Sequence, residues 1–329
     1  MVAGVLIVDK PKGPTSHDVV AVLRRTLRTR QVGHAGTLDP MATGVLVVAV
    51  GEATKLVPWL TTDDKSYEAT VRLGVGTSTL DADGQETSRI PISHDLAQAL
   101  RAIEVGAQHA APLPLPEPLR TAIDSERART EQIPPIFSAV RIGGERAHKL
   151  ARRGQVPDLA PRPVGLRRID VMGASLDPEP ELRLTVDVTK GYFVRSLARD
   201  LAEALGTTGH LTSLRRTRSG AFSINDAIAL DGIWERPASD ADRDAQQALF
   251  SSRLLSLECA VAIAMPTSTL NADGVRAARF GQRVHPSDLS SPHARPSAWL
   301  DEDGMLIAVG RASEDGSGQV LRGFRPLSI

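Results

Sequence analysis

The chain has 329 residues, 41% hydrophobic and 24% charged, with 39 basic side chains balanced by 39 acidic ones. That length suffices for a sizeable core and about two domains, and the composition is that of a soluble globular protein. No apolar run approaches the roughly 20 residues that span a bilayer, and no long apolar segment of signal-peptide type stands near the start. A single cysteine, Cys259, excludes an internal disulfide and a cysteine-rich metal site, so the expected location is the cytoplasm.

In chain order, Val5–Val8 reads as a buried strand. Thr15 and Ser16 can cap a helix with apolar positions at Val19, Val20, Leu23 and Leu27. Arg24, Arg25, Arg28 and Arg30 fall on or just after that helix, where solvated charges are expected. Gly33 to Gly44 is crowded with glycines and turn formers, and Val45–Val50 follows as a short apolar strand suited to burial on both faces. Ala111 to Pro118 holds four prolines in eight residues, which predicts a surface loop or insertion without regular structure. Leu182, Leu184, Val186 and Val188 alternate with polar residues, the period of a half-buried strand. Val194, Leu197, Ala198, Leu201 and Leu205 then switch to helical spacing, with Gly206 as a stop. Alternating strands among helices indicate an α+β fold with a mixed, mainly antiparallel sheet. Residues 236–246 are polar and read as a linker or exposed loop, dividing domains 1–250 and 251–329. Beyond it, a helix near Leu270–Phe280 and strands at Ala298–Leu300 and Met305–Val309, turning at Asp303-Gly304, are expected. No internal repeat is present.

The neutral total conceals local bias. Residues 141–220 carry fifteen Lys or Arg against nine acids, residues 1–60 seven against four, and residues 231–248 two against five. Phosphate binding depends on such clustering, because charges farther apart than about 8 Å are screened at physiological salt. A solvated basic face would give the same counts. Aromatic residues make up only 3% of the chain, which argues against an extended stacking platform for single strands.

The segment Gly33-His34-Ala35-Gly36-Thr37-Leu38-Asp39-Pro40-Met41-Ala42-Thr43-Gly44 is the most informative. It cannot continue a helix or a central strand, and it holds one carboxylate, Asp39, against a rigid buried strand. That placement suits a nucleophile or an acid–base group; Asp before Pro is also a common turn opener. The segment closely resembles the signature of the TruB family of tRNA pseudouridine synthases. So do Gly4-Val5-Leu6-Ile7-Val8-Asp9-Lys10-Pro11-Lys12-Gly13-Pro14-Thr15-Ser16-His17-Asp18, Lys65-Ser66-Tyr67, Gln132-Ile133-Pro134-Pro135-Ile136-Phe137-Ser138-Ala139 and Leu214-Arg215-Arg216-Thr217. These motifs stand in the family's order over residues 4 to 222, and the remaining third matches only loosely.

The resemblance implies isomerisation of uridine to pseudouridine at position 55 in the T-loop of tRNA, with Asp39 as the catalytic aspartate. It implies a pseudouridine-synthase catalytic domain followed by a small PUA-like, RNA-binding β-barrel. Breaking a C–N glycosidic bond and rejoining the base through carbon requires a temporary partner for sugar or base, a task a carboxylate can perform. The uridine must also be extruded from its loop, at a cost on the order of a few kcal/mol. By resemblance Tyr67 stacks on the flipped base, His34 fills the space it leaves, Leu214 lines its pocket and Arg195 pairs with Asp39. Read alone, Tyr67 is an ordinary strand aromatic, His34 a structural hydrogen-bonder, Leu214 plain core and Arg195 a surface helix charge. Arg215, Arg216 and Arg218, then Lys10, Lys12, Arg152 and Arg153, are the candidate phosphate contacts.

One departure bears on the chemistry. Lys190-Gly191-Tyr192-Phe193-Val194-Arg195 stands where the family has Lys-Gly-Thr-Tyr-Ile-Arg, so Phe193 replaces the tyrosine proposed there to take the final proton. Adjacent strand residues point to opposite faces; Tyr192 is therefore expected not to substitute, Phe193 still to pack on the uracil, and water or another group to accept the proton. A smaller mismatch, His148 in place of tyrosine, is expected to change a peripheral contact. No cofactor is implied for a redox-neutral isomerisation, and no metal-ligand spacing occurs. The expected partner is the T-arm of tRNA, bound by a monomer with no protein partner and no membrane. A non-catalytic tRNA-binding or folding module on the same fold is the alternative. A glycoside hydrolase is disfavoured, since its chemistry usually needs a second partnered carboxylate.

Overall fold

The structure, a computed structural model, describes residues 2–61, 63–106, 115–230, 233–234 and 237–325. The chain forms two compact units, one of Met1–Pro40, Gly44–Thr62 and Ser219–Ile329, the other of Met41–Thr43 and Asp63–Arg218. The architecture is α+β with mainly antiparallel strand pairing and a small four-stranded C-terminal sheet.

In the first unit the apolar run after the glycine-rich segment forms the strand Thr43–Val50, buried throughout from Val45 to Val50. It pairs antiparallel with Gly4–Lys10, placing Leu6 opposite Val48, and antiparallel with Val32–Ala35, placing His34 opposite Val48. Ile228–Ala229 adds a short parallel strand to Gly4–Lys10. Thr15 caps the helix Ser16–Thr26, and Asp18 returns the bond to complete a capping box, satisfying two otherwise orphaned amides. Val19, Val20, Leu23 and Leu27 face the core as their spacing predicts. The arginines on this helix are less free than expected: Arg24 donates to Val32 O at 2.8 Å, Arg25 to Ile233 O at 3.2 Å, and Arg28 pairs with Asp244 at 2.6 Å.

The C-terminal sheet runs Thr267–Thr269, Ser297–Leu300, Leu306–Ala312, Gly318–Gly323, its first pair parallel and the others antiparallel. The anticipated helix is Ala272–Arg279, capped by Asn271, and the turn is closed by Gly304 N–H donating to Asp301 O at 3.0 Å. Ala298, Leu306, Val309 and Phe324 share one apolar cluster with Val5, Ile7, Val45 and Val47. The sheet is thus fastened to the strands that precede it, through the same core.

Two expectations are corrected. Residues 240–246, read as linker, open the helix Asp240–Ser252: Ser239 caps it, and Asp240 and Asp242 lie in its first turn, where carboxylates favour the helix N-terminus. Of the proline-rich stretch, residues 111–114 lie outside the described residues, whereas Glu117 and Pro118 begin the helix Glu117–Ala128. Proline is tolerated in a first turn, where its missing N–H would have no intrahelical partner.

The second unit is built on antiparallel strands in the order Leu166–Ser175, Glu181–Val188, Lys65–Leu73, with Gly209–Ser219 beside the last. Leu182, Leu184, Val186 and Val188 are buried, as their alternation requires. The helix Val194–Ala204 follows, ending at Gly206 with φ +72°.

Trp299 is fully buried in a second cluster with Leu270, Ala278, Val284 and Ile307. Its ring lies against two backbones without side chains: a Cβ on Gly310 would overlap it, and one on Gly318 would sit 2.7 Å from Cη2. Gly310→Ala should therefore overpack this cluster and cost about 1–3 kcal/mol, read as a lower urea midpoint at unchanged slope.

Candidate active site

Asp39 sits half-buried on an irregular segment between the strands Val32–Ala35 and Thr43–Val50. Gly36 and Gly44 bracket it at φ +88° and +100°, angles that a residue with a Cβ adopts only with strain. The backbone on each side of Asp39 is fixed. The buried Ser16 hydroxyl accepts from Leu38 N–H at 2.8 Å and donates to Leu38 O at 3.1 Å. Gly13 N–H donates to Pro40 O at 2.9 Å, and the Lys10 ammonium donates to Pro11 O and Pro14 O, both at 2.8 Å, and to Pro40 O at 3.3 Å. Lys10 is fully buried; a desolvated ammonium needs close acceptors, and these carbonyls are among those that meet it. His34, on the strand before the loop, meets the His17 ring edge-on, centroids 5.3 Å apart.

In the second unit Tyr67 lies opposite Val186 on Lys65–Leu73 and is buried. Leu214, on Gly209–Ser219, is 6% exposed. Phe193 and Arg195 come from the start of Val194–Ala204: Phe193 is its N-cap and half-buried, and Arg195 is buried in the first turn. The Arg195 guanidinium donates to Thr79 O at 2.8 Å and Phe137 O at 3.0 Å, and lies 3.6 Å from the Asp81 carboxylate. Asp81 is itself buried and anchored, accepting from Thr79 Oγ1 and from Asp83 N–H. Arg195 is thus held in a fixed orientation, and Asp81, which no motif pointed to, is a principal holder.

Tyr192 and Phe193 lie in the loop after the turn at Gly191, not on a strand, so alternation of faces does not apply to them. Tyr192 is nevertheless unsuited to accept a proton. Its hydroxyl is buried and makes no hydrogen bond among the described residues. Burial, with the Glu126 and Asp200 carboxylates nearby, pushes it well above the ordinary tyrosine range, because ionisation there would place an unsolvated charge beside two others.

Among the remaining candidates, Arg216 is buried. Arg215 is part-buried and donates to Thr43 Oγ1 at 3.3 Å; Arg218 donates to Ser66 Oγ at 3.0 Å, with Asp187 at 3.5 Å. Lys12 and Arg152 are exposed, and Arg153 is exposed and paired with Glu145. His148 Nδ1 lies 2.9 Å from Ser138 O. Among the described residues no group of three or more His, Cys, Asp or Glu could hold a metal ion, and no helix is long and apolar enough to cross a membrane.

Comparison with known proteins fixes the class. Residues 24–112 and 103–194 match the model of the TruB family pseudouridylate synthase N-terminal domain, and residues 195–262 the tRNA pseudouridylate synthase B C-terminal domain. The chain belongs to the TruB family of pseudouridine synthases. It is 42% identical over 279 residues to the tRNA pseudouridine synthase B of Mycobacterium bovis (strain BCG / Pasteur 1173P2), covering 84% of this chain and 87% of that one. To the tRNA pseudouridine synthase B of Thermobifida fusca it is 41% identical over 331 residues, covering 97% of each chain. Among solved structures, a chain of an H/ACA RNP bound to a substrate RNA containing 2′-deoxyuridine matches with TM-score 0.63 and 25% identity, over 98% of this chain and 85% of that one. A chain of the archaeal box H/ACA sRNP Nop10-Cbf5 complex matches with TM-score 0.63 and 23% identity, over 98% and 86%, a likeness of fold.

Lys65, two residues before Tyr67, donates to Asp63 O at 2.8 Å. Burial, reinforced by Arg216 and Lys190, pushes its ammonium down to about 8 from 10.5. Between those two values the unfolded chain binds more protons at this site than the folded one, so folding stability rises with pH there. Against Lys65→Met, the wild type should gain up to about 3 kcal/mol between pH 7.5 and pH 10.5, from the shift to about 8. Urea unfolding of both proteins at each pH measures the difference.

Two buried donors that bond to the Asp39 loop, from the strand Gly4–Lys10 and the helix Ser16–Thr26, give a second expectation. Ser16→Ala strands the N–H and C=O of Leu38, and Lys10→Met strands the carbonyls of Pro11 and Pro14 and leaves Pro40 O with Gly13 N–H alone; each should cost about 1–3 kcal/mol of stability and lower kcat more than tRNA affinity, measured by denaturation and single-turnover kinetics.

Proposed function

We propose that the chain isomerises the T-loop uridine at position 55 of tRNA to pseudouridine, with Asp39 as the catalytic carboxylate. The reaction breaks the N1–C1′ bond, forms a C5–C1′ bond and moves the proton from C5 to N1, so atoms balance without a co-reactant. Asp39 supplies the temporary covalent or electrostatic partner while the base turns. The observation that carries the reading is the fixation of Leu38 and Pro40 on both sides of Asp39 by Ser16, Gly13 and Lys10. A carboxylate held this way loses little entropy on reaching the attack geometry.

The roles of the other residues rest on family membership. Arg195 pairs with Asp39 in the reacting complex through a planar guanidinium suited to carboxylates, while Asp81 and two carbonyls keep it oriented. Tyr67 stacks on the extruded base, Phe193 packs against it, Leu214 lines its pocket and His34 fills the vacated space in the RNA. With no hydroxyl at Phe193 and Tyr192 sealed in the interior, water or another group takes the C5 proton. Lys12, Arg152 and Arg153 contact phosphates, as do Arg215 and Arg218 with their exposed edges. The catalytic domain comprises residues 1–250, and residues 251–329 form a PUA-like module that adds RNA affinity. The enzyme works as a monomer on the T-arm in the cytoplasm.

The test is pseudouridine formation in an unmodified tRNA transcript, mapped by position. Wild type should modify the T-loop uridine alone and Asp39→Asn should form no product, while Tyr192→Phe should stay within about three-fold of wild type, since its hydroxyl makes no bond to lose. Tight, salt-sensitive tRNA binding by a wild type that forms no product would instead favour a non-catalytic RNA-binding protein.

A further inference from the structure

The segment Gln132–Ser138 stands out in the sequence, and beyond the Phe137 carbonyl that meets Arg195 nothing above gives it a task. Its first residue, Gln132, is 1% exposed, and its Oε1 accepts from the backbone N–H of Phe193 at 3.0 Å. Phe193 is the N-cap of Val194–Ala204 and has no side-chain group with which to cap it. Three residues further on, at the position where a capping box would carry Glu or Gln, stands Ser196, fully buried, whose hydroxyl donates back to Ile133 O at 2.9 Å. In an ordinary capping box the residue at this third helical position accepts from the N-cap amide, and both partners belong to one helix end. Here the acceptor for that amide comes from 61 residues away, and the third-position side chain locks the donor segment in return.

The brace has further strands. Arg199 donates to Ile133 O at 3.2 Å, and Arg195 donates to Phe137 O at 3.0 Å. Between those carbonyls stand Pro134 and Pro135, which have fixed φ and no amide to offer a neighbouring strand. The segment therefore turns stiff backbone carbonyls toward one helix terminus. Gln132 itself is pinned by strand pairing opposite Arg162. The bonds of Gln132, Ile133 and Phe137 to Phe193, Ser196 and Arg195 converge on the turn that carries Phe193 and Arg195, and Arg199 ties the next turn to the same segment.

We infer that Gln132 is a positioning residue for catalysis: through the Phe193 amide, with Ser196 as its counterpart, it sets where the Phe193 ring and the Arg195 guanidinium stand. The inference rests on the reading of Phe193 and Arg195 as site residues. A helix start that drifts when its cap is lost would shift both side chains together, and small displacements of positioning groups slow a reaction by about 100-fold. Gln132 touches no reacting atom, so tRNA affinity should be spared.

The experiment measures the single-turnover rate constant of pseudouridine formation, the tRNA Kd and the melting temperature for wild type, Gln132→Met, Gln132→Glu, Ser196→Ala and Arg195→Lys. Gln132→Met keeps the length of the side chain without its acceptor and should lower the rate constant about 10- to 100-fold, with Kd within about two-fold of wild type. Gln132→Glu keeps an acceptor oxygen and should recover most of the rate, and Ser196→Ala should be slowed in the same way as Gln132→Met. A Gln132→Met enzyme at the wild-type rate overturns the inference, as does a loss that follows Kd or is not recovered by Gln132→Glu. Should Gln132→Met fail to fold, Ser196→Ala decides: a wild-type rate overturns the brace, and a slowed rate at unchanged Kd supports it. Arg195→Lys separates the two levels of argument. If it is fully active, the site assignment itself fails; if it is slow while Gln132→Met is fast, only the brace fails.

Discussion

A lysine ammonium taken fully out of water must be surrounded by acceptors, and at Lys10 those acceptors are the carbonyls of Pro11, Pro14 and Pro40. This need ties the end of the first strand to the residue that follows Asp39. Proline makes the arrangement workable, because its carbonyl is available while it brings no amide that would need a partner of its own. The Ser16 hydroxyl does the complementary task on the other side, satisfying both the N–H and the C=O of Leu38. The fold thereby places a carboxylate on an irregular loop without leaving that loop free.

The second unit follows the same logic with different chemistry. Arg195 is buried, and its guanidinium is spread over two carbonyls and a carboxylate. Each bond restricts one direction of a planar group, so the side chain is oriented before any substrate arrives. The helix that carries it is held at its first turn by a segment from elsewhere in the chain. In both units, then, buried donors and acceptors direct their bonds to backbone next to a candidate site residue, Asp39 in one and Phe193 in the other. Preorganisation of this kind is what lets binding energy act on the transition state rather than on ordering the protein.

The sequence made some of this legible and hid the rest for identifiable reasons. The Asp39 loop was visible because glycine and proline leave a strong local mark. Both alternating and helical strips were visible because their periods, as at Leu182–Val188 and Val194–Leu205, are set by one buried face. The helix Asp240–Ser252 was missed because it is polar over most of its length, so its apolar stripe was too weak to read, although Ser239 with its following acids was a recognisable start. The burial of Lys10 and Arg216 was not legible, because a basic residue in a motif looks the same whether it lies at the surface or inside with internal acceptors. Asp81, Ser16 and Gln132 act through bonds to residues distant in sequence, which no periodicity records. The strand alternation applied to Tyr192 and Phe193 failed, because both lie in the loop after Gly191, and the burial of Tyr192 there leaves no mark in the sequence.

If the Asp39 loop is set before RNA arrives, the Leu38 amide reports it, since its bond to Ser16 Oγ at 2.8 Å closes the clamp. Hydrogen exchange at that amide should be measured in the free protein and in the tRNA complex. A preset loop gives slow exchange in the free protein, little changed by tRNA. Fast exchange in the free protein, with protection gained only on tRNA binding, would contradict it and show that the substrate builds the loop.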